Sequence, residues 1–79
     1  MYSVLGQITK MYDSFTPVEK RIADVVTEYP GKVVNLPIKE IAHLSNTSEA
    51  AIVRFSKRLG LSGIKVVKVE LARELHTIA

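Results

Sequence analysis

Residues Ile38 to Leu61 read IKEIAHLSNTSEAAIVRFSKRLGL, and the spacing within this stretch decides the fold. Ala42 is followed four residues later by Asn46, six residues further on by Ile52, and then by Phe55 and Leu59. Two helices can cross closely only where a small residue such as Ala42 lies at the contact. A tight turn between them needs one residue at positive φ, which most side chains avoid and Asn tolerates. Ile52 and Phe55 then return the second helix to the first. This is the pattern of a helix-turn-helix over about 37–59. Ser45-Asn46-Thr47 is its turn, Ser48 the N-cap of a helix from Glu49 to Leu59, and Gly60 the C′ residue that ends it.

Helical periodicity extends outward in both directions. Val4, Leu5, Ile8, Met11, Tyr12 and Phe15 recur at i, i+3, i+4 and i+7, which predicts a first helix from Ser3 to Asp13. Thr16-Pro17-Val18-Glu19 is a helix start: Thr16 caps, Pro17 suits the first turn and Glu19 completes a capping box. That second helix turns Ile22, Val25 and Val26 inward, and Pro30-Gly31 is expected to end it. Lys32 to Leu36 reads as a short helical turn. Pro37 opens the first motif helix, with Ile38, Ile41, Ala42 and Leu44 apolar. A last helix starts at Ser62 or Gly63 and runs to the end of the chain. Ile64, Val67, Leu71, Leu75 and Ile78 form one stripe on it, with Val66 and Val69 to one side. No segment reads as a strand. The expectation is an all-α bundle of about five helices.

The chain has 79 residues and no cysteine, so it forms one small domain without disulfides or thiolate metal sites. A cytoplasmic setting is expected. No apolar run approaches the roughly 20 residues of a membrane span, and MYSVLGQITK lacks the pattern of a signal peptide. The last helix stops inside its amphipathic pattern, as in a domain cut from a longer protein or a natural end that frays.

The net charge of +3 is unevenly placed. Residues 1–50 hold five Lys/Arg against six Asp/Glu, whereas residues 51–79 hold six against two. Five cations and no acid lie between Arg54 and Lys68. A basic second half suits a polyanion, although it also suits a solvated face. On a helical wheel Ser48, Ile52, Phe55, Ser56 and Leu59 fall on one side of the second motif helix, and Ala50, Val53, Arg54 and Lys57 on the other. Ala and Val can touch thymine methyl groups, and Arg54 can meet guanine or a phosphate. Thr47, Ser48 and Glu49 would enter a major groove first, since such helices read bases with their first turns. Glu49 fits the helix N-terminus electrostatically, or can accept from cytosine. Arg58, Lys65 and Lys68 flank this face as phosphate candidates. The expected partner is double-stranded DNA.

Catalysis finds no support. His43 and His76 lack ligand spacing, and no phosphate-binding or nucleophile motif occurs. No catalytic residue, metal or cofactor is expected. A helix-turn-helix-shaped protein-interaction module is the alternative, but it would not need the basic Arg54 to Lys68 segment.

The string TSEAAIVRFSKRLGLSGIKVVKVELA, with FTPVEKRIADVVTEYPGKVVNLPIKEIA upstream, resembles the N-terminal domain of RpiR-type bacterial transcription regulators. The resemblance runs from about Leu5 to Leu75. It is most specific at Ser48-Glu49-Ala50, Ile52-Val53-Arg54-Phe55, Leu59-Gly60 and Ser62-Gly63. It implies a helical bundle with a helix-turn-helix, acting on sugar-catabolism genes as a dimer or higher oligomer. It also implies a C-terminal sugar-isomerase-like (SIS) domain, absent from these 79 residues, through which a phosphosugar effector would act. The chain departs from the family pattern at Pro37, where a Ser cap is usual, at Asn46, where the turn usually has Gly, and at Val66, where a polar residue is common. Val66 and Val69 exceed what one core-facing stripe uses. Self-association, packing on the first helix or docking on the absent domain would each cover them, with self-association preferred.

Overall fold

The computed structural model describes residues 2–78, with side chains through His76. Six α-helices build it: α1 (Val4–Met11), α2 (Pro17–Glu28), α3 (Pro30–Asn35), α4 (Ile38–Leu44), α5 (Glu49–Arg58) and α6 (Ile64–Ile78). A 3₁₀ turn at Tyr12–Ser14 follows α1, and no strand occurs among the described residues. The all-α expectation holds, with one helix more than the five expected.

The helix starts follow local chemistry. Thr16 accepts from the Glu19 amide at 3.2 Å while the Glu19 carboxylate accepts from the Thr16 amide at 2.8 Å, so the expected capping box is formed. Ser48 accepts from the Ala51 amide at 3.1 Å and caps α5. Pro37 provides no side-chain cap. It holds an extended backbone, and its carbonyl accepts from the Glu40 and Ile41 amides.

The two motif helices end alike. Asn46 has φ 53° and Gly60 φ 89°. After α4 the Asn46 amide donates to His43 and the Thr47 amide to Ala42. After α5 the Gly60 amide donates to Lys57 and the Leu61 amide to Ser56. Both are Schellman endings, in which one left-handed residue lets two amides satisfy carbonyls the helix leaves open. Asn46 therefore takes the role the sequence assigns it.

The core draws on every helix: Val4 and Ile8, Ile22 and Val26, Val33, Ile41, Ile52 and Phe55, Val67 and Leu71 are all buried. Phe15, just past the 3₁₀ turn, joins them, with its ring centroid 5.3 Å from that of Phe55. Ala42 is buried on α4, which packs against α5, as a close crossing requires. On its other sides α5 packs against α2 and α6, while α6 also covers α1 and α3.

Several expectations are corrected. The second helix does end just before Pro30, at Glu28, but the short helical turn read from Lys32 begins two residues earlier. Pro30 is the first residue of α3, because a proline lacking an N–H is at home at a helix start. The first helix ends at Met11, two residues early, and tightens into the 3₁₀ turn. Leu44, one of the apolar residues of the first motif helix, is 50% exposed at the end of α4. Packing of Val66 and Val69 on α1 is also overturned. They are 36% and 57% exposed, while Val67 and Leu71 face the core. Ile78, expected on the core stripe, lies outside the residues whose side chains are described. No helix among the described residues is long and apolar enough to cross a membrane.

Candidate nucleic-acid interface

The buried side of α5 is fixed by Ala51, Ile52, Phe55 and Ser56, with Leu59 at its C-cap. Ser56 satisfies its hydroxyl by donating to the Ile52 carbonyl at 3.0 Å. The opposite side is thereby turned outward. Ser48, Glu49, Ala50, Arg54 and Lys57 are exposed, and Thr47 and Val53 are half-buried. The helix faces are those read from the sequence except at Ser48, which the helical wheel places on the Ile52 side but which is exposed, because as the N-cap it precedes the helical turns.

Two shallow clefts flank the start of α5. One, of about 390 Å³, is lined by Lys39, Glu40, Ala42, His43, Thr47, Ser48 and Glu49. The other, of about 340 Å³, lies between the start of α2 and α5 and includes Thr16, Glu19, Thr47, Ser48 and Arg54. Thr47 and Ser48 border both and form the ridge between them. Lys39 belongs to this surface although the sequence reading passed over it. The signal was available: in a helix-turn-helix the first helix crosses the phosphate backbone, so a cation in its first turn is placed to meet it.

The five cations between Arg54 and Lys68 do not act alike. Arg54, Lys57 and Lys65 are exposed and make no hydrogen bond or ion pair among the described residues. Arg58 turns back on the domain. Its Nε meets the Glu19 carboxylate at 3.2 Å, a terminal nitrogen donates to the Ser14 carbonyl at 2.9 Å, and its guanidinium lies 5.8 Å from the Phe15 ring centroid. Lys68 donates to the Leu36 carbonyl at the end of α3. Of the ten candidate residues, eight are presented outward or near the start of α5, and Arg58 and Lys68 are engaged within the fold.

The turn has a contact the sequence did not reveal. Arg21, in the middle of α2, donates from Nε to the Ser45 carbonyl at 3.2 Å and from a terminal nitrogen to the Asn46 carbonyl at 3.3 Å. Periodicity places Arg21 on the outer side of α2, but not its reach to a turn 24 residues away.

Nothing in this surface resembles a catalytic constellation. Among the described residues no group of three or more His, Cys, Asp or Glu is gathered as metal ligands. His43 is exposed at the cleft edge. The surface offers small apolar, hydroxyl and cationic groups on one protruding helix.

Known proteins share this arrangement. A crystal structure of the N-terminal domain of ybbH from Bacillus subtilis, assigned as a transcriptional regulator, superposes with a TM-score of 0.82 at 35% identity, covering 86% of this chain and 83% of that one. An uncharacterized HTH-type transcriptional regulator of Caldanaerobacter subterraneus is 41% identical over 95% of this chain, which matches 27% of that protein. The bifunctional protein glk of Paraburkholderia xenovorans is 36% identical over 92% of this chain, which matches 11% of that protein. The chain thus spans about a quarter or less of the length of these curated relatives. The model of the helix-turn-helix domain of the rpiR family matches residues 2–77. With the fold, the motif and the relatives in agreement, the chain belongs to the rpiR family of helix-turn-helix domains, the DNA-binding domains of transcriptional regulators.

Proposed function

We propose that the domain reads a specific duplex sequence through the outer face of α5, for a regulator of sugar or phosphosugar genes. Ala50 and Val53 would meet base edges, with Thr47, Ser48 and Glu49 leading into the major groove. Arg54, Lys57 and Lys65 would hold phosphates, joined by Lys39 from α4. The carrying observation is that Arg54, Lys57 and Lys65 are exposed without an intramolecular partner beside the Ser-capped start of α5. Arg58 and Lys68 would contribute only on leaving Glu19 and Leu36. Two copies would bind a palindromic site in the cytoplasm, on the nucleoid. A phosphosugar effector would act through a C-terminal sugar-isomerase-like domain of the full-length protein. The relatives called bifunctional protein glk favour a sugar-related setting.

The experiment is a selection from random duplexes followed by a salt titration of the chosen site. With three or four phosphates neutralised, log K should fall against log salt with a slope of about −2.7 to −3.6. Arg54→Ala with Lys57→Ala should weaken binding and flatten the slope while circular dichroism stays native. Arg58→Ala should leave the slope unchanged. Unaltered affinity in the folded double variant would refute the assignment of this face.

A further inference from the structure

We infer that Arg21 is a positioning residue for DNA reading: it clamps the motif turn and so fixes how α5 is presented. This rests on the proposed reading of α5.

The backbone creates the need. At the end of α4 the Schellman amides of Asn46 and Thr47 satisfy His43 and Ala42, while the Ser45 amide and hydroxyl both donate to Ile41. Those bonds leave the carbonyls of Ser45 and Asn46 unserved by the helix itself. Helix ends supply such partners from elsewhere or from water. Here one guanidinium supplies both, at 3.2 and 3.3 Å, from a different helix. A cation also suits the negative end of the α4 dipole.

The consequence is geometric. Asn46 stands at φ 53°, and the path of the chain at that residue sets the angle between α4 and α5. Two donors held in the rigid fork of one guanidinium grip consecutive carbonyls, so neither the Ser45–Asn46 peptide nor the Asn46–Thr47 peptide can rotate without breaking a bond to Arg21. A lysine ammonium has no such fork. Thr47 and Ser48, which border both clefts and precede α5, follow Asn46 directly. Because α2 also packs against α5, Arg21 closes a triangle of α2, the turn and α5. Its bonds to neutral carbonyls differ from the Arg58–Glu19 pair, where the partner is a carboxylate.

The test compares the parent with Arg21→Ala and Arg21→Lys, since Ala keeps α2 helical. Loss of two charge-assisted bonds should lower affinity for the selected site about tenfold. Affinity for a scrambled duplex and the salt slope should hold, and lysine should restore only part of the loss. Without DNA, exchange of the Thr47 amide, bonded to Ala42 at 2.9 Å, should quicken about tenfold in Arg21→Ala, while the amides of Ile52 and Phe55 stay protected. A uniform loss on both duplexes with the slope reduced by about 1 would make Arg21 a phosphate contact and overturn the clamp. Unchanged Thr47 exchange would overturn it as well, whatever happens to stability. The exchange measurement stands even if the parent binds no duplex, which would count against the proposed reading and not against the clamp.

Discussion

The phenol of Tyr2 donates to the carbonyl of Leu59 at 2.9 Å, tying the N-terminal residues to the C-cap of α5 across 57 positions of sequence. The same device serves α4, whose C-cap carbonyl at Ser45 is taken by Arg21. Each motif helix is thus closed by a donor from outside the motif.

Tyr2 gives the domain an alkaline limit. Burial raises its pKa above the ordinary 10.0, and the nearby charges of Glu74 and Glu70 raise it further. Tyr12 is raised as well, first by its hydrogen bond to Asp24 at 2.9 Å. A phenol whose folded pKa lies above its unfolded value holds its proton longer in the native state. Its stabilisation is whole below the unfolded value and is lost as pH rises through the folded one. Urea midpoints should therefore hold up to about pH 10 and decline as pH rises above it. Tyr2→Phe should start lower by about 0.5–1.5 kcal/mol at neutral pH and decline less steeply. A parallel decline in parent and variant would remove Tyr2 from this effect.

Glu74 should matter more than its place near the end of α6 suggests. Its carboxylate accepts from the Val4 amide at 2.7 Å, the Leu5 amide at 3.2 Å and the Ser3 hydroxyl at 2.6 Å. It therefore caps α1 from another helix, beside the local cap in which Ser3 accepts from the Gly6 amide at 2.9 Å. An anion suits that end of α1. Glu74→Ala should cost about 1.5–3 kcal/mol by urea denaturation, the range for hydrogen bonds to a charged group. Glu74→Gln should recover part of it. A cost within about 0.5 kcal/mol, as for an ordinary surface substitution, would show that the cap contributes nothing.

These relationships mark what the sequence discloses. Periodicity and capping are local, so the outer face of α5, the positive φ at Asn46 and the Thr16–Glu19 box were legible. Pro30 was ambiguous in principle, because a proline both stops one helix and starts the next. Tyr2–Leu59, Glu74–Val4, Arg21–Ser45 and Arg58–Glu19 depend on how the helices cross. Residue types and spacing do not encode those angles directly. The same limit hid which cations are free: Arg54 and Arg58 look equivalent in sequence, yet only Arg58 lies over Glu19 and Phe15.

Phe55 joins the motif to the rest of the domain. It is 2% exposed, and its ring meets that of Phe15 at an interplanar angle of 56°. Phe55→Ala should cost roughly 3–5 kcal/mol, the range for deleting a buried phenyl. That is comparable to the whole stability of so small a domain. The variant should be largely unfolded at 37 °C, whereas exposed Lys57→Ala should melt with the parent. A Phe55→Ala domain melting within a couple of degrees of the parent would mean the site repacks without a cavity.

Val66 and Val69 are the strongest pointers to assembly. They stand 36% and 57% exposed on α6, away from Val67 and Leu71 in the core. Apolar side chains on one outer face are best covered by a partner, and a second copy is the proposed one. The domain measures 30 Å along its longest axis. Two copies side by side could therefore set their α5 helices about 34–36 Å apart, one turn of duplex. A pair also doubles the three free cations of Arg54, Lys57 and Lys65, which alone would hold DNA weakly. Sedimentation equilibrium should show the parent dimerising as concentration rises. Val66→Lys with Val69→Lys should be monomeric and folded, and should lose the parent's preference for a palindromic site over a half-site. A parent that stays monomeric at hundreds of micromolar would exclude pairing through this face.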